Sequence, residues 1–132
     1  MAIFYSTEKN IPVQAIIEVF QSSGIKRPTA APQRIEAMFQ AADVVISAWA
    51  DDQLIGIARS LSDFCYCTYL SDLAVRKEYQ NQGIGKQLIA LTRQQVGPSS
   101  MLLLVAAPSA IDYYLKLGMD KLDRAFIFNR AQ

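Results

Sequence analysis

The sequence predicts one α+β domain, residues 1–132, in which helices flank a mixed, mostly antiparallel sheet with a central parallel β-α-β crossover. Between residues 44 and 75, segments with strand character follow one another across short turns, which is typical of antiparallel pairing. After Gly85 the apolar residues recur at helical spacing, and this helix leads into the wholly apolar segment 101–105. A strand, a helix and a second strand in succession predict a parallel pair joined by a crossover.

The first half of the chain contains two predicted helices and most of the predicted strands. Pro12 is tolerated in the first turn of a helix, and Gly24 ends that helix. Apolar residues between Ile35 and Phe39 indicate a second, short helix. The predicted strands cover residues 3–5, 44–50, 54–61 and 64–75, with a hairpin turn at residues 51–53.

The second half contains the crossover and a final helix. The helix that begins at Ile84 ends near Gly97, and the apolar strand 101–105 is expected to be buried on both faces of the sheet. Pro108 opens another helix, which Gly118 closes, and a last short strand covers residues 126–128. The residues predicted for the inner side of this last helix are Ile111, Tyr114, Leu115 and Leu117.

The composition excludes several functional classes. Thirteen basic residues against twelve acidic ones leave a formal net charge of +1, so the basic field of a nucleic-acid-binding protein is missing. The chain has no histidine, which excludes Ser-His-Asp and Cys-His catalysis and removes the commonest transition-metal ligand. No apolar run is long enough to span a membrane, and the first residues do not resemble a signal peptide. We therefore expect a cytoplasmic protein without a metal, a nucleic-acid partner or a membrane anchor.

The two cysteines, Cys65 and Cys67, stand alone in a C-x-C pattern. We expect them to be buried, reduced thiols, because free cysteine is among the most buried residue types. A redox pair is the alternative interpretation.

The segment 73–86 carries the clearest sign of a ligand. An apolar strand enters a polar loop, and two glycines then open a helix, whose first N–H groups and positive dipole end form an anion site. Two familiar phosphate motifs do not fit. Leu88 stands where the third glycine of G-x-G-x-x-G is required, and Gln87 stands where the nucleotide P-loop requires Ser or Thr.

The pattern Q/R-x-x-G-x-G/A does fit, and it is met by Gln80-Asn81-Gln82-Gly83-Ile84-Gly85. Here the chain resembles the GNAT superfamily of N-acetyltransferases. A second block, residues 110–119, is similar to the family's A-x-x-x-Y-x-K-x-G-F segment, with Met119 in place of Phe. Ala107 stands where the family often has Asn, so one expected polar contact to the cofactor is absent.

The resemblance implies acetyl-CoA as co-substrate and assigns residues to its binding. In the family, the backbone of the loop holds the pyrophosphate, and the preceding strand carries a bulge, splays from the next parallel strand and offers N–H groups to the pantetheine arm and the thioester carbonyl. The positions that match are Leu73, Ala74, Val75, Gln80, Asn81, Gln82, Gly83, Ile84, Gly85 and Lys86.

Tyr114 matches the family's general acid, which protonates the departing thiolate. A phenol is protonated at neutral pH and can donate to a thiolate. Its neighbour Tyr113 points about 100° away around the helix.

A general base is harder to identify. Some relatives have a carboxylate or histidine at positions matching Tyr69 or Ser71, and this chain has neither. Asp72 is the nearest carboxylate and is the candidate base, with a structural role as the alternative. Asp63 is a weaker candidate for binding a cationic acceptor.

Together these observations predict an N-acetyltransferase that moves an acetyl group from acetyl-CoA to a primary amine by direct transfer. The acceptor is predicted to be a small molecule, and a homodimer is compatible with the sequence. The alternative function is a non-catalytic acyl-CoA-binding sensor or regulatory module.

Overall fold

The computed structural model describes residues 2–132 and contains five strands and four α-helices within them. Strand β1 (Ile3–Ser6) precedes helices α1 (Val13–Ser23) and α2 (Pro32–Gln40). Strands β2 (Val44–Ala50), β3 (Gln53–Ser62) and β4 (Cys67–Val75) follow, and then helix α3 (Ile84–Val96), strand β5 (Met101–Leu103) and helix α4 (Ile111–Lys116). Single 3₁₀ turns, Lys77–Tyr79 and Pro108–Ala110, lie before α3 and α4.

The strands form one sheet in chain order, from β1 at one edge to β5 at the other. Strands β1 to β4 pair antiparallel with their neighbours, and β4 pairs parallel with β5. The mixed sheet, its antiparallel majority and the crossover through α3 are therefore confirmed. The apolar strand near residue 101 was expected to be a central strand buried on both faces, but β5 is an edge strand of the sheet within residues 2–132.

Helices cover both faces of this sheet and produce two cores. Helices α1 and α2 pack on one face, where Phe20 and Ile35 belong to the same buried core as strand residues such as Ile57. Helix α3 packs on the other face, where Leu88 lies against residues such as Ile46. Because side chains alternate along a strand, burial of both faces explains why β2 and β3 are nearly continuous apolar runs.

Two predictions about the second half of the chain are wrong. The strand predicted over residues 101–105 ends at Leu103, and the Met101 side chain is exposed. Residues 126–128 form no strand, and their side chains are exposed. Leu115, predicted on the inner side of α4, lines a cavity with Ile111 and Tyr114 but remains 48% exposed.

The cysteines are also not where the sequence predicts them. Strand β4 begins at Cys67, so Cys65 lies in the turn between β3 and β4, and both thiols are exposed. Asp63 organises this turn, since its Oδ1 accepts the backbone N–H groups of Cys65, Tyr66 and Cys67 at 3.0, 2.8 and 3.0 Å. These hydrogen bonds hold the pKa of Asp63 well below its usual range. Asp63 is thus engaged by its own turn.

Candidate active site

A cleft opens where β4 and β5 part. Their parallel pairing ends at Tyr69 and Leu103, while β4 continues to Val75. The cleft has a volume of about 770 Å³. Its walls are the second half of β4, the segment 104–110 that follows β5, and the segment 23–27 that follows α1.

A β-bulge accompanies this separation. In the pairing of β3 with β4, Arg59 lies opposite Asp72 and the adjacent Ser60 lies opposite Leu70, which leaves Ser71 as the extra residue of β4. The bulge and the separation of the strands are the two features that the family resemblance implies for this strand. Leu73, Ala74 and Val75, the strand residues predicted to bind the cofactor, all line the cleft.

The loop between β4 and α3 forms a second cavity of about 250 Å³. Gly83 is the N-cap of α3 and adopts φ +84°, a left-handed conformation that favours glycine. No side chain caps the helix, so the first N–H groups of α3 are available to an anion. The predicted residues that line this cavity are Leu73, Val75, Gln80, Asn81, Gly83, Ile84 and Gly85.

The remaining predicted loop residues lie beside the cavity. Gln82 and Lys86 belong to the same loop and first helical turn but do not line it. The Gln80 amide lines it and also donates to the Val75 carbonyl at 2.9 Å, so it closes the loop back onto the end of β4.

Tyr114 lies where the two cavities meet, since it lines both of them. The side chain is half-buried, and its ring packs edge-on against Tyr113 with the ring centroids 5.2 Å apart. Burial raises the pKa of Tyr114 above its ordinary value, and the charge of the neighbouring Tyr113 adds to this. The phenol is therefore a proton donor across the physiological range.

Tyr113 is closer to the loop than the sequence suggests. A Cβ atom added to Gly85 would lie 2.7 Å from the Tyr113 hydroxyl, so this hydroxyl lies directly over the first turn of α3. The short helix α4 places the rings of both Tyr113 and Tyr114 at the loop.

Asp72, the predicted base, has a different environment from the one a base requires. Its side chain is fully buried and forms ion pairs with the Nε atoms of Arg27 and Arg59. Both oxygens are occupied by guanidinium groups, and solvent cannot reach them. The structure therefore favours the structural alternative for Asp72.

The two arginines were missed as site residues. Arg59 is a charged residue within the otherwise apolar run of β3, and a buried charge requires a buried partner. That signal was present in the sequence. The contribution of Arg27 had no comparable sign, because it comes from the irregular segment between α1 and α2.

A model of the acetyltransferase (GNAT) domain matches residues 5–131. The chain is 29% identical over 126 residues to an uncharacterized N-acetyltransferase, ycf52, of Pyropia yezoensis, covering 90% of this chain and 71% of that protein. Among solved structures, it resembles a protein of unknown function from meticillin-resistant Staphylococcus aureus, described as a probable acetyltransferase. That likeness has a TM-score of 0.83 at 20% identity and covers 98% of this chain and 99% of the other.

The aminoglycoside N-acetyltransferase AAC(6')-Iy, solved in complex with CoA, is a further structural neighbour. Its TM-score is 0.75 at 17% identity, with 99% of this chain and 96% of that chain covered. Within residues 2–132, no helix is long and apolar enough to cross a membrane. No group of three or more His, Cys, Asp or Glu side chains in the same range could hold a metal ion.

Proposed function

The chain belongs to the GNAT acetyltransferase family, and we propose that it transfers an acetyl group from acetyl-CoA directly to a primary amine. The observation that carries this proposal is the position of Tyr114 between two connected cavities. One has the free helix N-terminus that suits a pyrophosphate, and the other is the gap between parted strands that suits the pantetheine arm. The CoA named with the structural neighbour AAC(6')-Iy supports this choice of co-substrate.

The bound acetyl-CoA would extend from the start of α3 to the bulge of β4. The loop residues Asn81, Gly83 and Gly85 would hold the pyrophosphate. The backbone of residues 73–75 has no strand partner on the cleft side and would face the pantetheine arm and the thioester. Backbone N–H groups aimed at a developing oxyanion stabilise the tetrahedral intermediate.

The transfer itself requires few groups. The amine nitrogen attacks the thioester carbonyl carbon, the carbon–sulfur bond breaks, and the Tyr114 phenol gives its proton to the departing thiolate. The described residues that line the cleft include Lys26 and Arg27 but no carboxylate. We therefore assign the removal of the amine proton to water, and Tyr114 regains its proton from solvent.

A covalent route through a cysteine has little support. Cys65 lies in the turn between β3 and β4 and Cys67 is the first residue of β4, and both lie outside the two cavities. The negative charge of Asp63 raises the pKa of both thiols, which disfavours the thiolate that such a route needs.

The acceptor is proposed to be a small molecule. The chain has a formal net charge of +1, so it would not strongly attract a highly charged macromolecule. The name of one structural neighbour, an aminoglycoside acetyltransferase, specifies a small-molecule acceptor. The cytoplasmic location and the homodimer stay predictions.

Release of free CoA thiol tests the proposal. Purified protein is incubated with acetyl-CoA and a panel of small primary amines, and thiol release is compared with that in the absence of amine. Amine-dependent release together with an acetylated product supports the transferase. Binding of acetyl-CoA without release in any reaction would favour the sensor function instead.

A further inference from the structure

The extra residue of the β4 bulge is held by two arginines from other parts of the chain. Ser71 lies outside the regular pairing of β3 with β4, so its groups need other partners. Arg27 donates from Nη2 to the Ser71 carbonyl at 2.7 Å, and Arg59 donates from its own Nη2 to the Ser71 hydroxyl at 3.0 Å. The bulge is thus fastened at both its backbone and its side chain.

The same arginines share the carboxylate of the next residue. Arg27 binds Oδ1 of Asp72 and Arg59 binds Oδ2, and the Asp72 side chain is fully buried between them. Arg59 also donates to the Met38 carbonyl of α2 at 3.4 Å and lies over the Phe39 ring. The cluster therefore connects β3, β4, α2 and the segment after α1.

Arg27 differs from Arg59 in ways that matter for function. The Arg59 side chain is 9% exposed and belongs to the core, whereas that of Arg27 is 25% exposed and lines the cleft. If Arg27 were lost, Asp72 would keep its ion pair with Arg59, so no buried charge would be left alone. Loss of Arg27 would release the Ser71 carbonyl and separate the segment after α1 from β4.

We propose that Arg27 is a positioning residue for acetyl transfer, which fixes the β4 bulge so that the backbone of residues 73–75 faces the thioester. This inference rests on the proposed function. A strand rises about 3.3 Å per residue, so a shift of the bulge by one position moves those backbone groups by that distance and reverses their faces. A misplacement of about 1 Å at a reacting centre can cost about 100-fold in rate.

The experiment compares Arg27→Met and Arg27→Lys with the wild type and with the control Arg34→Met. The Arg34 side chain is exposed on α2, and its Nη2 donates to the Gln132 carbonyl at 3.1 Å. For each protein, kcat is measured by thiol release, acetyl-CoA Kd by calorimetry and folding by thermal denaturation.

We expect Arg27→Met to lower kcat by about 10- to 100-fold with Kd changed by less than about two-fold. We expect Arg27→Lys to lower kcat as well, because one ammonium group cannot replace both contacts of the guanidinium.

Chemical rescue separates positioning from general stability. In Arg27→Ala, guanidinium chloride at tens of millimolar should restore part of kcat, whereas equal sodium chloride should not. The positioning role is overturned if kcat is unchanged in Arg27→Met, or if kcat falls only in proportion to the folded fraction in both Arg27→Met and Arg27→Lys. It is also overturned if guanidinium restores no activity to Arg27→Ala. A wild-type protein without amine-dependent turnover would instead contradict the proposed function on which this role depends.

Discussion

Burial keeps the Tyr114 phenol protonated, which its proposed role as a general acid requires. The half-buried ring loses part of the hydration that its phenolate would need, and the pKa of Tyr114 rises. A group with a raised pKa stays protonated to higher pH, so its ability to donate is complete throughout the neutral range. Donation is lost only as pH rises through the raised pKa, above the ordinary tyrosine value of about 10.

Replacement of Tyr114 by phenylalanine removes this donor with little change in shape. We expect kcat to fall by about 10- to 1,000-fold. This is the usual contribution of a general acid, reduced because water can partly replace the phenol as proton donor. The Kd of acetyl-CoA should change little, since the ring remains. Steady-state kinetics from pH 7 to 10 provide the measurement, and Tyr66→Phe in the exposed β3–β4 turn is the control. A Tyr114→Phe variant with the wild-type kcat at every pH would remove Tyr114 from the mechanism.

Single residues could be predicted where a motif fixed them, and not where their partners are distant in sequence. Tyr114 lines both cavities because one local block of sequence positions both the helix and the ring, and its role as an acid stays a prediction. The sequence predicts a base at Asp72 from its position in the strand, but its environment depends on Arg27, which is 45 positions away. No local pattern reveals that pair, and so the role of Asp72 could not be resolved from the sequence.

Among the elements, helix α4 approaches the start of α3 closely. Gly85 is the second residue of α3, and the Tyr113 hydroxyl of α4 occupies the space in which a side chain would begin. The Tyr113 Cζ atom, at 3.6 Å from the same point, would be in ordinary contact. The conflict is therefore with the hydroxyl alone.

This geometry predicts a coupling between Gly85→Ala and Tyr113→Phe. Alanine is favoured over glycine in a helix by about 1 kcal/mol, but in the wild type the tyrosine must move to accommodate it. We expect Gly85→Ala to gain more stability in the Tyr113→Phe background than in the wild type, by at least about 0.5 kcal/mol. Denaturant unfolding of the four proteins measures this difference. If the two effects simply add, the hydroxyl does not lie over α3 as described.

Elements with local signals were predicted well, and elements that depend on neighbouring strands were not. The hairpin of β2 and β3 and helices α1 and α3 follow from turn residues and helical spacing. Strand β5 and residues 126–128 are equally apolar, yet apolar character does not determine which strand lies beside them. Within residues 2–132, the outer edge of β5 has no partner strand, so the buried central position that its apolar sequence predicts is not observed.

At the scale of the whole molecule, the proposed ligand would bridge three elements of the fold. Acetyl-CoA would contact β4, the start of α3 and α4 together, since all three line the cavity at the loop. A ligand that binds the folded state and not the unfolded chain stabilises the fold by mass action. At a concentration of 100 times Kd the gain is about 2.7 kcal/mol, which should raise Tm by about 5 to 12 °C for a domain of this size.

Three ligands and two variants test whether the rise in Tm comes from binding of the pyrophosphate at the start of α3. An acetylated pantetheine without the nucleotide should raise Tm far less than acetyl-CoA, because it brings no pyrophosphate to the start of α3, and CoA itself should raise it. Gly83 lines the cavity at the loop, and a Cβ atom there would meet nothing within 4 Å, so we expect the Gly83→Ala methyl group to take up space proposed for the phosphates. Gly118→Ala is the matched control, because Gly118 has a similar φ of +88° and equally open surroundings.

Both alanine variants should lose a similar amount of stability, since each forces a side chain into left-handed backbone. Only Gly83→Ala should also lose the shift with acetyl-CoA. Equal shifts in the two variants would mean that the anions bind elsewhere than at α3. A wild-type melting curve that does not move with millimolar acetyl-CoA would contradict both the transferase and the sensor, because each of them must bind this ligand.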